Sequence, residues 1–293
     1  MDKPHRGTPR LDRRQFAALL GLLPYVRVPK ASAQQDWRGR RLDPFMIYYG
    51  HAARPEIGRY DLVVLDSEVE PAAFRHASNS LILGYFSIGE VAAYRPYYRD
   101  VAAEGLLGNR NVNWPDARFV DMRDSRWHRR VVEELVPDIL RRGFHGIFLD
   151  TLDNAEYLEQ KSGAAGAGMI EGAAELVRKL RQAFPQAAIM INRGYATLPR
   201  IAGQFDMLLG ESVRSSYQGT GGSYVLLSDQ EYRWQRAMMW QARERDPGLR
   251  LFSLDYWNLK DTAGIASLYA TQRANGFTPY VSTRELSTIV PEP

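Results

Sequence analysis

Eight short runs of consecutive apolar residues limit this chain more than any other feature. They lie at residues 45–50, 61–66, 81–87, 146–150, 188–192, 206–211, 249–255 and 278–282. Strands that are apolar on successive positions, rather than alternating, are buried on both faces, as parallel sheets require. Helical periodicity fills the intervals. Residues 125–143 carry Trp127, Val131, Val132, Leu135 and Ile139, with Pro137 expected to kink or restart the helix. Residues 169–184 put Ile170, Ala173, Ala174, Val177 and Leu180 on one stripe. Residues 228–245 space Tyr232, Gln235, Met239 and Ala242 helically, and residues 261–275 read as capped at both ends, with Gly276 closing the second. Strand–helix alternation through eight strands predicts a single (β/α)8 TIM barrel over residues 34–293. The alternative is a doubly wound open sheet, but no G-x-G-x-x-G follows the first strand.

In such a barrel the reactive groups sit where the strands end. Strand one ends at Tyr49. Strand two ends at Asp66 with Glu68 and Glu70 beyond, and strand three at Ser87-Ile88-Gly89-Glu90. Strand four ends at Asp150-Thr151-Leu152-Asp153, strand five at Asn192-Arg193, and strand six at Glu211. Strand seven ends at Asp255-Tyr256-Trp257 and strand eight at Tyr280. Any one of these acids could simply cap the following element. Carboxylates at five mouths together are a different matter, because grouped like charges cost free energy that a purely structural face would avoid.

Two carboxylates facing across a cleft suit glycosidic bond cleavage, one donating a proton and the other attacking carbon or activating water. Asp150, held by Ile147-Phe148-Leu149, is the candidate nucleophile. Glu211, ending an equally apolar strand, is the candidate acid, since partial burial raises a carboxyl pKa. The candidate substrate-binding set is Tyr49, Asp66, Glu90, Tyr94, Arg95, Asp153, Asn192, Asp255, Tyr256 and Tyr280. Asp153 could bind a sugar hydroxyl, tune Asp150 or cap a helix. Aromatic faces near the strand ends, Trp114, Tyr195 and Tyr217 among them, can stack on the C–H faces of sugars. The stretch from Val91 to Ser125, about 35 residues, is expected to form a functional rim or lid. Gly219-Thr220-Gly221-Gly222 is expected to form a mobile loop beside Glu211.

The first 33 residues read as a leader rather than as fold. Arg13-Arg14-Gln15-Phe16 precedes a short apolar core, and Ala31-Ser32-Ala33 supplies a cleavage site. The paired arginines suggest a twin-arginine signal, an address and not an anchor, and therefore a periplasmic or extracellular protein. The other reading of this segment is a basic tail. It also carries the charge. Of 38 Lys+Arg and 34 Asp+Glu, residues 1–33 hold seven and two, leaving 31 against 32. The alkaline pI of about 9.2 is then no argument for nucleic acid as a partner. The apolar core is too short to span a bilayer, so no stable membrane insertion is expected. Cysteine is absent, which excludes disulfides and thiolate chemistry.

Two segments in combination, Ser87-Ile88-Gly89-Glu90 with Tyr94-Arg95, and Gly143-Phe144-His145-Gly146-Ile147-Phe148-Leu149-Asp150-Thr151-Leu152-Asp153, resemble the endo-α-1,4-polygalactosaminidases, glycoside hydrolases of the family 114/166 type. Residues 60–66, Leu209-Gly210-Glu211-Ser212, Leu254-Asp255-Tyr256 and residues 276–282 fit the same family. The likeness runs from about residue 43 to 290. It implies a (β/α)8 barrel that cleaves α-1,4-linked galactosamine or N-acetylgalactosamine polymers internally, with stereochemical retention and with acids corresponding to Asp150 and Glu211. His145 stands where family members often carry Asp; it precedes the strand and is expected to be structural.

An acidic mouth, partly offset by Arg95 and Arg193, would attract a partly deacetylated and therefore cationic polymer. No cofactor and no metal site are expected, and a monomer is the default. A metal-dependent hydrolase would need His and acid ligands at suitable spacing, and only His51, His76, His128 and His145 follow the leader. A Schiff-base barrel would need a strand lysine, and Lys161, Lys179 and Lys260 lie elsewhere. A glycan-binding or polysaccharide-assembly protein on an inactive barrel is the alternative of a different class.

Overall fold

The computed structural model describes residues 37–71, 79–218 and 222–293. The expected leader and residues 219–221 of the glycine loop lie outside the described residues. In chain order the strands are β1 (Phe45–Tyr48), β2 (Leu62–Asp66), β3 (Leu81–Ser87), β4 (Glu90–Ala92), β5 (Leu107–Arg110), β6 (Ala117–Val120), β7 (Gly146–Asp150), β8 (Ala188–Asn192), β9 (Met207–Glu211), β10 (Ser215–Gln218), β11 (Ser223–Leu226), β12 (Arg250–Tyr256) and β13 (Thr278–Ser282). The helices are α1 (Tyr98–Ala103), α2 (Ser125–Arg130), α3 (Val136–Arg141), α4 (Asn154–Lys161), α5 (Met169–Ala183), α6 (Asp229–Arg245) and α7 (Thr262–Ala274).

All eight apolar runs are strands of one parallel sheet in the order β1-β2-β3-β7-β8-β9-β12-β13. The order follows the chain without the reversal that a doubly wound sheet contains, so the fold is a (β/α)8 barrel. Every residue of β1 and β8 is buried, and Leu62, Val63, Val64 and Leu65 of β2 are wholly so. Each such side chain contributes about 1.5–3 kcal/mol of burial free energy. That is how a chain without disulfides holds together.

The sheet closes through side chains and a tail rather than a ladder. Phe45 of β1 meets Tyr280 of β13 edge to face at 5.9 Å. The segment after β13 then stitches the seam. Tyr49 N–H donates to the Leu286 carbonyl at 2.8 Å, Tyr60 Oη to the Val290 carbonyl at 3.3 Å, and Val290 N–H to Tyr280 Oη at 3.4 Å.

The expected helix over residues 125–143 forms as α2 and α3, joined by one π-turn without leaving helical geometry. Pro137 cannot donate to the turn before it, and residues Val131–Leu135 form a π-turn in which Val136 N–H reaches the Val131 carbonyl. The other helices form as expected. Ser228 caps α6 in a reciprocal capping box with Glu231, and Asp261 caps α7, which Gly276 ends at φ +76°. The expected rim after β3 is an ordered unit: an antiparallel sheet β4-β6-β5 with α1 between β4 and β5 in the chain. β10 and β11 pair antiparallel as the two arms of a hairpin, Ser215 opposite Leu226 and Gln218 opposite Ser223. Among the described residues, no helix is long and apolar enough to cross a membrane.

Candidate active site

Three neighbouring strands place three polar side chains on the inner face of the mouth. Asp150 ends β7, Asn192 ends β8 and Glu211 ends β9. The Asn192 side-chain amide joins the two acids, donating to Asp150 Oδ1 at 2.9 Å and to Glu211 Oε2 at 2.6 Å. Both bonds start from one nitrogen, so those two oxygens are at most about 5.5 Å apart. Each acid has one further donor. Tyr85 Oη donates to Asp150 Oδ2 at 2.9 Å and Tyr256 Oη to Glu211 Oε1 at 2.8 Å. Asn192 is buried, and its Oδ1 makes no hydrogen bond among the described residues.

The residue after each of these three strands is left-handed without being glycine: Thr151 at φ 62°, Arg193 at 52° and Ser212 at 53°. Such positions are strained by about 1–3 kcal/mol each and persist only where neighbours fix them. Here they are fixed. Thr151 Oγ1 accepts the Gly89 N–H at 2.9 Å and lies 2.8 Å from Ser87 Oγ. Gly89 comes so near that a Cβ would stand 2.4 Å from the Thr151 carbonyl oxygen, which explains the glycine in Ser87-Ile88-Gly89-Glu90. Arg193 N–H donates to the Leu209 carbonyl at 2.9 Å, and Ser212 N–H to the Leu254 carbonyl at 2.7 Å.

Burial pushes the Glu211 carboxyl above its usual range, and the nearby Asp150 charge adds to it; Asn192, Tyr256 and Arg193 offset part. Burial also raises Tyr85 and Tyr256 far above an ordinary phenol, so both remain protonated donors. Tyr49, also in the mouth, is raised in the same way.

Around this centre the acids are individually restrained. Arg95 grips Asp66 with two bonds of 2.8 and 3.1 Å and lies over the rings of Tyr85 and Tyr94 at 5.3 and 5.1 Å. Glu90 is buried, which raises its carboxyl, and accepts from Asn111 and Asn154 at 2.7 and 3.0 Å. Asp153 faces Arg193 at 3.3 Å; burial raises its carboxyl and Arg193 works against that. The cleft these residues line has a volume of about 810 Å³.

Ten of the twelve expected site residues line this cleft: Asp150, Glu211, Tyr49, Asp66, Glu90, Tyr94, Arg95, Asp153, Asn192 and Tyr256. Two do not. Asp255 is fully buried outside the cleft, where it accepts the N–H groups of Arg214 and Ser215 at 2.7 Å each and Gln272 Nε2 at 2.6 Å. It ties β12 to the hairpin and to α7. Tyr280 is buried in the β13–β1 seam. Both were expected because they end strands, but side chains on a strand alternate faces, and these two fall on the wrong parity or too deep. Sequence reasoning missed Tyr85, Asn111 and Asn154. Tyr85 had a signal: it is polar, inside an apolar run, two residues before Ser87 and therefore on the same face. His145 is structural as expected, its Nδ1 accepting the Ile82 N–H at 2.9 Å.

The comparisons with known proteins agree with this fold. The model of glycoside-hydrolase family GH114 matches residues 27–292. The glycoside hydrolase domain of PelA from Pseudomonas aeruginosa is 22% identical with a TM-score of 0.75, covering 85% of this chain and 97% of that one. Ega3 of Aspergillus fumigatus, solved in complex with galactosamine, is 15% identical with a TM-score of 0.62, covering 85% and 94%. A Thermotoga maritima protein described as uncharacterized is 23% identical over 237 residues, 76% of this chain and 68% of its own length. The structural likenesses speak to the fold; the family match spans nearly the whole chain, and on it the chain belongs to glycoside-hydrolase family GH114 and is a glycoside hydrolase.

Proposed function

We propose that the chain cleaves α-1,4-linked galactosamine and N-acetylgalactosamine polysaccharide internally, with retention of configuration. The observation that carries this reading is the Asn192 amide bridging Asp150 and Glu211, which keeps their nearest oxygens within about 5.5 Å and supports a nucleophile and an acid/base serving one anomeric carbon. Glu211, raised by burial, is protonated at the start and gives its proton to the glycosidic oxygen as Asp150 attacks the anomeric carbon and the C–O bond breaks. The leaving chain departs with that proton. Water then gives a proton to Glu211 and attacks the same carbon, releasing Asp150. Tyr85 and Asn192 each donate to one Asp150 oxygen and so orient it.

The polymer assignment rests on the family, on the galactosamine bound in Ega3, and on the charge of the cleft. Asp66, Glu90, Asp150, Asp153 and Glu211 all line it, and a chain bearing free amines is cationic. The leader-like residues 1–33 support an exported setting, periplasmic or extracellular.

The test is reducing-end release from an α-1,4-galactosamine-rich polymer, with product configuration read by NMR. Wild-type chain should yield oligomers of retained anomeric configuration, and folded Asp150→Asn and Glu211→Gln chains should yield none. Binding without release would make the barrel a glycan-binding module and end the enzyme mechanism given above. Inverted product would end the assignment of Asp150 as nucleophile.

A further inference from the structure

The outer cleft holds a cation that the two-carboxylate chemistry does not use. Arg284, just after β13, lies over the ring of Trp114 at 5.0 Å and over that of Tyr217 at 5.4 Å. The two rings come from different parts of the chain. Trp114 belongs to the connection between β5 and β6 in the rim sheet. Tyr217 lies on β10, braced by Tyr224 directly across the hairpin with ring centroids 5.2 Å apart. An exposed arginine ordinarily samples many rotamers; this one is flanked by two aromatic faces, which attract a guanidinium and limit where it can go.

Its electrostatic situation differs from that of the other arginines lining the cleft. Arg95 is paired with Asp66 and Arg193 with Asp153. Among the described residues, Arg284 makes no ion pair and its guanidinium no hydrogen bond, although it lines the same cleft as Asp150 and Glu211. Its donor fork is available to a ligand. Trp114 is 55% exposed, which leaves apolar surface beside that fork.

Three kinds of sugar could meet such a group in the polymer proposed above. A free-amine residue is cationic and is repelled by the guanidinium. An acidic residue would suit Arg284 but not the carboxylates lining the rest of the cleft. An N-acylated residue is neutral, its amide carbonyl oxygen accepts from a guanidinium, and its methyl group can rest on an indole.

We propose that Trp114, Arg284 and Tyr217 form an outer subsite that selects an N-acylated amino sugar, with the guanidinium donating to the amide carbonyl oxygen. The proposal rests on the galactosaminidase reading and adds to it where along the cleft acylation is sensed. The enzyme would then cut preferentially where an acylated residue occupies this position, whatever the centre itself accepts.

The experiment uses one α-1,4-galactosamine polymer in two forms, with free amines and after complete N-acetylation. The quantity read is the ratio of kcat/KM on the acetylated form to that on the free-amine form. Arg284→Ala should lower this ratio about tenfold, mainly through KM, and Trp114→Ala should move it the same way. Arg284→Lys, which keeps the charge without the planar fork, should restore only part. An unchanged ratio in Arg284→Ala, or equal losses on both polymers, overturns the subsite. If the wild-type chain cuts neither polymer, the galactosaminidase reading fails instead. The same ratio is then taken from calorimetric binding of the two polymers to wild-type and Arg284→Ala chains, and the same criterion decides the subsite.

Discussion

Glu211, half-buried, and Asp255, fully buried, are carboxylates at the mouth ends of adjacent strands, and their fates are opposite. In the β9–β12 register Glu211 stands beside Leu254, so Asp255 is one step further and faces the other way. Glu211 opens into the cleft and has two side-chain donors, Asn192 and Tyr256. Asp255 is enclosed and accepts two backbone N–H groups and Gln272. Burial raises both carboxyls above their usual range. A buried acid is therefore not yet a catalytic acid. What separates the two is access: Asp255 is closed in by two backbone amides and Gln272, whereas Glu211 lines the cleft, where it can exchange a proton with a ligand or water.

The comparison can be broken in several places. The largest effect expected is on catalysis. Glu211→Gln should lower kcat at least a thousandfold, and Asp255→Asn should retain activity per folded molecule within a few-fold; loss of activity in both would erase the distinction. On stability the order reverses. Asp255→Ala strips partners from two backbone N–H groups and Gln272, at about 3–5 kcal/mol, and should lower Tm by roughly 10 °C in calorimetry. Asn192→Ala should cost about a hundredfold in kcat, because it removes the bridge that holds both acids, and Tyr85→Phe about tenfold.

A pH profile sharpens the same contrast. Glu211 must be protonated to act, so kcat/KM should fall as pH rises through its raised pKa, and this alkaline limb should vanish in any residual activity of Glu211→Gln. For stability the sign is opposite to that of a salt-bridged acid. A carboxyl raised by folding penalises the native state above its folded pKa, and the penalty is relieved as pH falls from there toward the ordinary value. At neutral pH, Glu211→Gln should therefore raise Tm by about 2–4 °C, the smallest effect of the set. A lower Tm would mean that Glu211 serves the fold as Asp255 does.

Most of the barrel was legible because strands buried on both faces announce themselves as unbroken apolar runs. The two central acids were legible because each ends such a run. Asp255 misled for the same reason, since the neighbouring Asp255-Tyr256 pair offers two polar groups and only the β9–β12 register tells which faces the cleft. The rim sheet was expected only as a rim: β4, β5 and β6 have three or four residues each and no sustained alternation to betray them. Arg284 could not be found from sequence at all, because its meaning comes from two rings more than sixty residues away that only the closed barrel brings together.

The seam has a consequence for how the molecule is made. β1 is made long before β13, yet among the described residues its second side is covered by β13 and by the segment from Leu286 to Val290. Until β13 has been made, β1 is an apolar strand with one unprotected edge, open to pairing with another chain. Closure cannot occur until β13 and the segment after it have been made, so any factor that delays them prolongs the interval in which the nascent barrel can aggregate.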